Sequence, residues 1–182
     1  MVTDPAEVRR LAEWKEAENL HFRRYLHAHH QDRIAPFQII ANRIEAQIDC
    51  TACANCCRDM LVEVNLAEVE AIARHLNLSV EDVRLRHTTA DPDDSIQCVL
   101  RYERDACTFL DGNLCLIYEA RPGACRHFPH AHPGEHSLGA RIESACRHAR
   151  VCPILYNALE EYKHQTGYHE RGGSAAAARA GG

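Results

Sequence analysis

Four cysteines fall within eight residues of this chain, in the segment CTACANCC from Cys50 to Cys57. Six more cysteines lie downstream, at Cys98, Cys107, Cys115, Cys125, Cys146 and Cys152. Thiols at this density pair as disulfides, bind metal or act in catalysis. The choice constrains the fold, because the free energy of binding a structural metal contributes directly to folding.

The N-terminal segment indicates which of these roles applies. It carries acidic residues from Asp4 onward and lacks the apolar stretch of a secretory signal, so we expect a cytoplasmic protein. Cytosolic thiols are kept reduced, which favours metal binding over disulfides. No apolar run reaches the ~20 residues of a membrane span. A net charge of −5 argues against nucleic acid as a partner.

The chain divides into four predicted segments. Residues 1–48 are predicted to form an N-terminal helical cover, and residues 49–153 a metal-binding cysteine core. A closing helix is expected over residues 154–167, followed by a disordered low-complexity tail at 168–182. The predicted fold class is helix-rich α+β, a small metal-stabilised domain with a short β-hairpin and covering helices at both ends.

The N-terminal segment has clear helix signals. Asp4 and Pro5 are suited to the N-cap and first helical position, and apolar spacing over Val8–Leu26 predicts one long helix. A second helix is predicted after Pro36, with apolar residues up to Ile48. Neither apolar face is large enough to bury the other, so we expect both to pack over the cysteine core.

Turn and cap residues predict structure within the core as well. Asn65 with Glu68 forms a capping-box pattern, and Ser79 is suited to cap a second helix. The turn residues Asp111-Gly112-Asn113 lie between the apolar runs 96–101 and 114–118, which predicts a small hairpin.

The cysteine spacing favours one metal centre over another. Cys50, Cys53 and Cys56 are separated by two residues each, as in the bacterial ferredoxin run whose remote cysteine precedes a proline. Cys152-Pro153 is such a dipeptide. Zinc sites usually show a second two-residue knuckle, which is missing downstream. An iron–sulfur cluster is therefore favoured as the cofactor, with zinc as the alternative.

Three further segments carry cysteines in an extended pattern: CTFLDG at 107–112, CLIYEARP at 115–122 and CRHFP at 125–129. Together with CTACANCC they resemble the YkgJ-type cysteine-cluster family, described as a zinc- or iron-chelating CxxCxxCC domain. The resemblance implies metal binding by Cys50, Cys53, Cys56, Cys57, Cys107, Cys115 and Cys125, with Cys146 and Cys152 as the looser C-terminal cysteines.

Other residues are weaker candidates. Cys98 lies in an apolar run and is interpreted as a small core residue. The loop from His127 to His136 could contribute metal ligands, although a solvated loop is the favoured interpretation. Arg121, Arg126 and Arg147 adjoin cysteines and could offset the negative charge of a thiolate site.

The function predicted from these residues is metal binding with a structural, electron-transfer or sensory role. A cluster-dependent redox or protein-modifying enzyme is the alternative. The expected partner is the metal ion or cluster, with a protein partner possible, and neither nucleic acid nor membrane is expected.

Overall fold

The computed structural model describes residues 1–29, 34–90, 98–129 and 138–169, and most of them are helical. The α-helices in this part of the chain are α1 Pro5–Trp14, α2 Glu16–His29, α3 Ile34–Glu45, α4 Cys50–Cys53, α5 Cys56–Asp59, α6 Leu66–Leu76, α7 Val80–His87, α8 Gly123–His127, α9 Leu138–His148 and α10 Pro153–Gln165. One 3-10 helix, η1, covers Tyr118–Ala120. None of the described helices is long and apolar enough to cross a membrane.

The strands are short and antiparallel. They are β1 Glu63–Val64, β2 Thr88–Ala90, β3 Cys98–Leu100, β4 Tyr102–Glu103, β5 Ala106–Cys107, β6 Leu110–Asp111 and β7 Leu114–Cys115. They form one three-stranded sheet in the order β1-β3-β2 and two two-stranded hairpins, β4-β5 and β6-β7. The predicted helix-rich α+β class is therefore confirmed.

The described residues belong to two compact units. Unit 1 contains residues 1–29, 34–44 and 138–169, and unit 2 contains residues 45–90 and 98–129. Unit 2 is thus an uninterrupted stretch of sequence between the two parts of unit 1. The part of the predicted tail beyond position 169 lies outside the described residues. The predicted packing of the N-terminal helices over the cysteine core stays a prediction.

Unit 1 begins with the cap that the sequence predicts. The Asp4 carboxylate accepts a hydrogen bond from the Glu7 backbone N–H at 2.8 Å, and Pro5 is the first helical residue. The single long helix was wrong, because α1 ends at Trp14 and α2 begins at Glu16. The intervening Lys15 has φ −95° and ψ 11°, and its ammonium bonds a carboxylate of α10.

Aromatic side chains fill the centre of unit 1. Phe22 of α2 and Phe37 of α3 both pack against Tyr162 of α10, with ring centroids 5.8 Å and 5.5 Å apart. All three residues are buried. Such pairs contribute roughly 0.5–1.5 kcal/mol beyond the burial of their surface. These contacts hold α2 and α3 to α10.

Unit 1 also buries a cation. The Lys163 side chain is only 5% exposed, and its ammonium lies 2.8 Å from Glu18 and 2.7 Å from Glu160. A buried charge is tolerated only when it is paired, so the three side chains form one structural unit.

In unit 2, both predicted helix caps are present. The Asn65 side chain accepts from the Glu68 backbone and the Glu68 carboxylate accepts from the Asn65 backbone, which completes the capping box of α6. Ser79 accepts from the backbone N–H of Asp82 at 3.0 Å and caps α7. The apolar core beneath these helices includes Ile72 and Val83, both fully buried.

The turn at Gly112 closes the β6-β7 hairpin, in which Leu110 pairs with Cys115. Gly112 has φ +58°, a conformation that favours glycine, so the turn residues were a sound signal. The other predicted arm does not join this hairpin. The described part of that run, Cys98–Leu100, pairs instead with β1 and β2 in the three-stranded sheet.

Candidate metal centre

The first cysteine segment folds into two single-turn helices, α4 and α5. The Asp49 carboxylate accepts from the Thr51 backbone N–H at 2.8 Å and starts α4. Ala54 then adopts a left-handed conformation, with φ 47° and ψ 19°, and turns the chain into α5. This conformation costs a non-glycine residue about 1 kcal/mol. The sharp turn redirects the chain between Cys53 and Cys56.

Arg58 ties this segment to the β6-β7 turn. Its guanidinium donates to the carbonyl oxygen of Cys53 at 3.2 Å, to that of Gly112 at 2.7 Å and to Asn113 Oδ1 at 2.7 Å. Asn113 Nδ2 in turn donates to the carbonyl of Ala52 at 3.0 Å. Three of these hydrogen bonds, with Gly112, Asn113 and Ala52 as acceptors, join two stretches of sequence that both carry cysteines.

A cavity of about 330 Å³ lies in unit 2 beside these two stretches. The cysteines that line this cavity are Cys50, Cys56, Cys57, Cys107, Cys115 and Cys125. They come from α4, α5, β5, β7 and α8, so residues far apart in sequence share one space.

The remaining walls of the cavity are largely apolar. Phe109 and Ile117 are buried side chains of the unit 2 core that also face the cavity. Tyr102 lines it as well, and its hydroxyl donates to the carbonyl oxygen of Met60. Burial, and then the negative charge of the neighbouring thiols, raises the pKa of Tyr102, so this phenol stays protonated at neutral pH. These walls limit the access of water to the thiols.

The thiols of the cavity differ in acidity. The hydrogen bond with Cys56 is the largest influence on Cys57 and lowers its pKa to about 7. Burial raises the pKa of Cys107 to about 11 and that of Cys125 to about 12. Cys57 is therefore about half ionised at neutral pH, whereas Cys107 and Cys125 must release protons when they bind a metal.

Arg121 is the cation of this cavity wall. Burial raises the pKa of Cys50, Cys115 and Cys125, and the positive charge of Arg121 offsets part of each rise. The guanidinium is held in place by Tyr118, because Nε donates to its carbonyl at 2.9 Å and the guanidinium carbon lies 3.5 Å from its ring centroid. Arg121 thus favours negative charge on the thiols.

The other predicted ligands lie elsewhere. Cys53 ends α4 and does not line the cavity. Cys146 and Cys152 belong to unit 1, where the Cys146 thiol lies 3.8 Å from the carbonyl oxygen of Asn19 and Cys152 is buried at the start of α10. Cys98 packs against the apolar core of unit 2.

The histidine and arginine candidates also separate. His127 ends α8, whereas the other histidines of its loop, His130, His132 and His136, lie outside the described residues. Arg126 is exposed on α8, and Arg147 pairs with Glu143 at 3.5 Å in unit 1. Arg121 is therefore the predicted arginine that reaches the cysteine cavity.

All ten cysteines lie within the described residues, and no disulfide joins any of them. Over the same part of the chain, no group of three or more Cys, His, Asp or Glu side chains is arranged so that it could hold a metal ion. The six thiols share one cavity without converging on one point within it.

Residues 49–153, more than half of the chain, match the model of the family named CxxCxxCC and described as a "putative zinc- or iron-chelating domain". The chain belongs to this family. The predicted family is confirmed, and membership in it supports metal binding by the cysteines of this chain. No curated protein and no solved structure matches the chain.

Sequence reasoning missed the residues that hold the cysteine segments in place. Arg58 and Asn113 are 55 positions apart, and no spacing rule connects them. Tyr102 was also missed, because it lies between the charged residues Arg101 and Glu103. The one available signal was that Arg58 directly follows Cys57 and Asn113 directly follows the glycine of a turn.

Proposed function

We propose that this CxxCxxCC protein binds a metal centre with the thiols of the unit 2 cavity. The proposal rests on one observation, the six cysteines from five separate elements that line the same space. Their donor chemistry fits a thiophilic metal, because sulfur ligands select zinc, copper(I) and iron–sulfur clusters. The side chains that would hold it are those of Cys50, Cys56, Cys57, Cys107, Cys115 and Cys125.

An iron–sulfur cluster is the favoured centre, and zinc is the alternative. A structural zinc ion and an iron–sulfur cluster each take four cysteine ligands, so the six thiols of the cavity suffice for either centre. The spacing of Cys50, Cys53 and Cys56 favours the cluster, since iron–sulfur proteins use such runs, but Cys53 itself does not line the cavity. Cys152 was predicted as a remote ligand but belongs to unit 1, so neither Cys53 nor Cys152 is among the proposed ligands.

The surrounding residues suit a centre of this kind. When bound, a cluster would supply one-electron chemistry or a rigid structural link between the cysteine segments. Arg121 offsets the negative charge of the thiolates, and Phe109 and Ile117 exclude water from one side of the cavity. A reducing compartment such as the cytoplasm matches ten cysteines without a disulfide.

Anaerobic purification followed by analysis of iron, zinc and acid-labile sulfide tests the proposal. We expect brown protein with iron and sulfide in equal amounts. Colourless protein with stoichiometric zinc would contradict the cluster but keep the metal site. Protein without bound metal, even after reconstitution with iron, sulfide or zinc, would refute the site itself.

A matched pair of variants then separates the cavity from the rest of the chain. Cys115→Ala should lose most of the metal, because Cys115 lines the cavity. Cys146→Ala removes a thiol of unit 1 and should retain it. Equal metal content in the two variants would show that the cavity is not the site.

A cluster-dependent redox or protein-modifying enzyme is the second candidate function. It is favoured by the cavity walls beyond the thiols, where Leu114 and Tyr118 are both exposed and could contact a substrate. An enzyme would show a redox change or transfer product that requires the metal. A purely structural role predicts that metal removal unfolds unit 2 and that no such product forms.

A further inference from the structure

A second concave surface of unit 2 lies along α6, opposite η1 and α8. This groove has a volume of about 460 Å³. Ala67 and Ala71 of α6 and Ala120 of η1 line it with small side chains, which leaves room for a ligand. The groove residues of α6 extend from Asn65 to His75, which corresponds to roughly 15 Å of helix.

Arginines supply most of the charge in the groove. Arg74 lies in the last turn of α6 and Arg126 lies in α8. Arg121 lies between η1 and α8 in the sequence. Across the part of the chain that the structure describes, neither the Arg74 nor the Arg126 guanidinium has an ion pair or hydrogen bond. Two exposed guanidinium groups are thus available for a ligand in one groove.

The carboxylates of the groove compete with this role only in part. Glu68 Oε1 accepts from the Gly123 backbone N–H at 2.8 Å, and Oε2 accepts from the Asn65 backbone N–H at 2.9 Å. Both of its oxygens are therefore engaged by the backbone. Glu119 is the other acidic residue that lines the groove. Three guanidinium groups face two carboxylates, and one of those carboxylates is already satisfied.

We infer that this groove binds a small molecule through a phosphate or carboxylate group. Guanidinium groups present paired N–H donors that match both kinds of oxyanion. Arg121 lines both the groove and the cysteine cavity, so the bound anion would lie next to the proposed metal centre. The inference goes beyond the proposed function and does not require a metal to be bound.

Titration of the full chain with two classes of anion tests the groove. Pyrophosphate represents the phosphate source and citrate the carboxylate source, each followed by calorimetry at an ionic strength held constant with sodium chloride. We expect saturable binding in at least one of the two arms. If neither anion saturates the protein, the inference is overturned.

The double variant Arg74→Gln/Arg126→Gln should weaken that binding at least tenfold. Arg84→Gln is the matched control, because Arg84 is an exposed arginine of α7 in the same unit and does not line the groove. Its affinity should stay within twofold of the parent chain. Equal weakening in the control, or undiminished binding in the double variant, would place the anion elsewhere and overturn the inference.

Two further measurements keep the outcome clear. Arg74→Lys/Arg126→Lys preserves charge but removes the paired donors, so it should fold and still bind more weakly than the parent chain. Full affinity in this variant would contradict recognition by guanidinium groups. Metal content should be the same in all variants, so a failure of the groove differs visibly from a failure of the metal site.

Discussion

The tie between Arg58 and the β6-β7 turn makes a quantitative prediction. We expect Arg58→Gln to weaken metal binding by about tenfold. Arg58 is exposed and donates to three acceptors, on Cys53, Gly112 and Asn113. An exposed hydrogen bond contributes about 0.5 kcal/mol net, so three contribute about 1.5 kcal/mol. That amount corresponds to about a factor of ten in an equilibrium constant.

The physical reason is the loss of preorganisation. With the tie in place, the α4-α5 segment is already held against the hairpin that carries Cys115. Without Arg58, the metal itself must bring these segments together, and the ordering free energy is subtracted from its binding. Asn113→Ala removes the Arg58 bond and the bond to Ala52, so it should have an effect of similar size.

Competition with a chromophoric chelator measures this effect, with zinc or reconstituted iron as the metal. The double variant of Arg58 and Asn113 should be less affected than the two single effects added, because they share a hydrogen bond. Arg84→Gln again serves as the control for losing one exposed positive charge. A dissociation constant for Arg58→Gln within twofold of the parent chain would refute the reasoning, as would an equal loss in the control.

Three further predictions concern other parts of the molecule. Lys163→Ala should lower the free energy of unfolding by about 3 kcal/mol in urea titrations, since it leaves Glu18 uncompensated and leaves Glu160 with Lys15 alone as its partner in unit 1. A loss below about 1 kcal/mol would contradict the role of the buried pair. Burial opposes ionisation of Glu160, but its hydrogen bonds to Lys15 and Lys163 outweigh burial and lower its pKa. The contribution of Glu160 to stability should therefore persist above about pH 4.5 and disappear as the pH falls further. Glu160→Gln should flatten this acid dependence of the free energy of unfolding. Cys98→Ala should keep its metal, and its free energy of unfolding should fall by about 1 kcal/mol because a packed side chain is lost. Cys125→Ala should lose metal. Metal analysis and thermal unfolding of both variants check these outcomes.

Local signals predicted local structure well. The caps at Asp4, Asn65 and Ser79 are each defined by residues within three positions, and all three are present. The break at Lys15 was not predictable in the same way, because the apolar spacing continues across it. Trp14, the last residue of α1, is 78% exposed at that break.

Structure that depends on distant pairing was predicted less well. Gly112 marked its own turn correctly, but nothing near Cys98–Leu100 indicated pairing with both β1 and β2. The cysteine spacing identified candidates whose thiols share a cavity, such as Cys57 and Cys115. The spacing could not show that six thiols share the cavity while Cys146 and Cys152 lie in unit 1. Spacing along the sequence does not record which segments pack together.

The order of the two units along the chain has a consequence for biosynthesis. The described residues of unit 2 lie between positions 45 and 129, so every cysteine of the cavity is synthesised before α9 and α10. The aromatic core that Phe22 and Phe37 share with Tyr162 can form only after Tyr162 has been synthesised. At roughly 5–20 residues per second, this interval lasts several seconds. Metal can therefore reach the nascent thiols before the first helices of the protein have found their final packing partners.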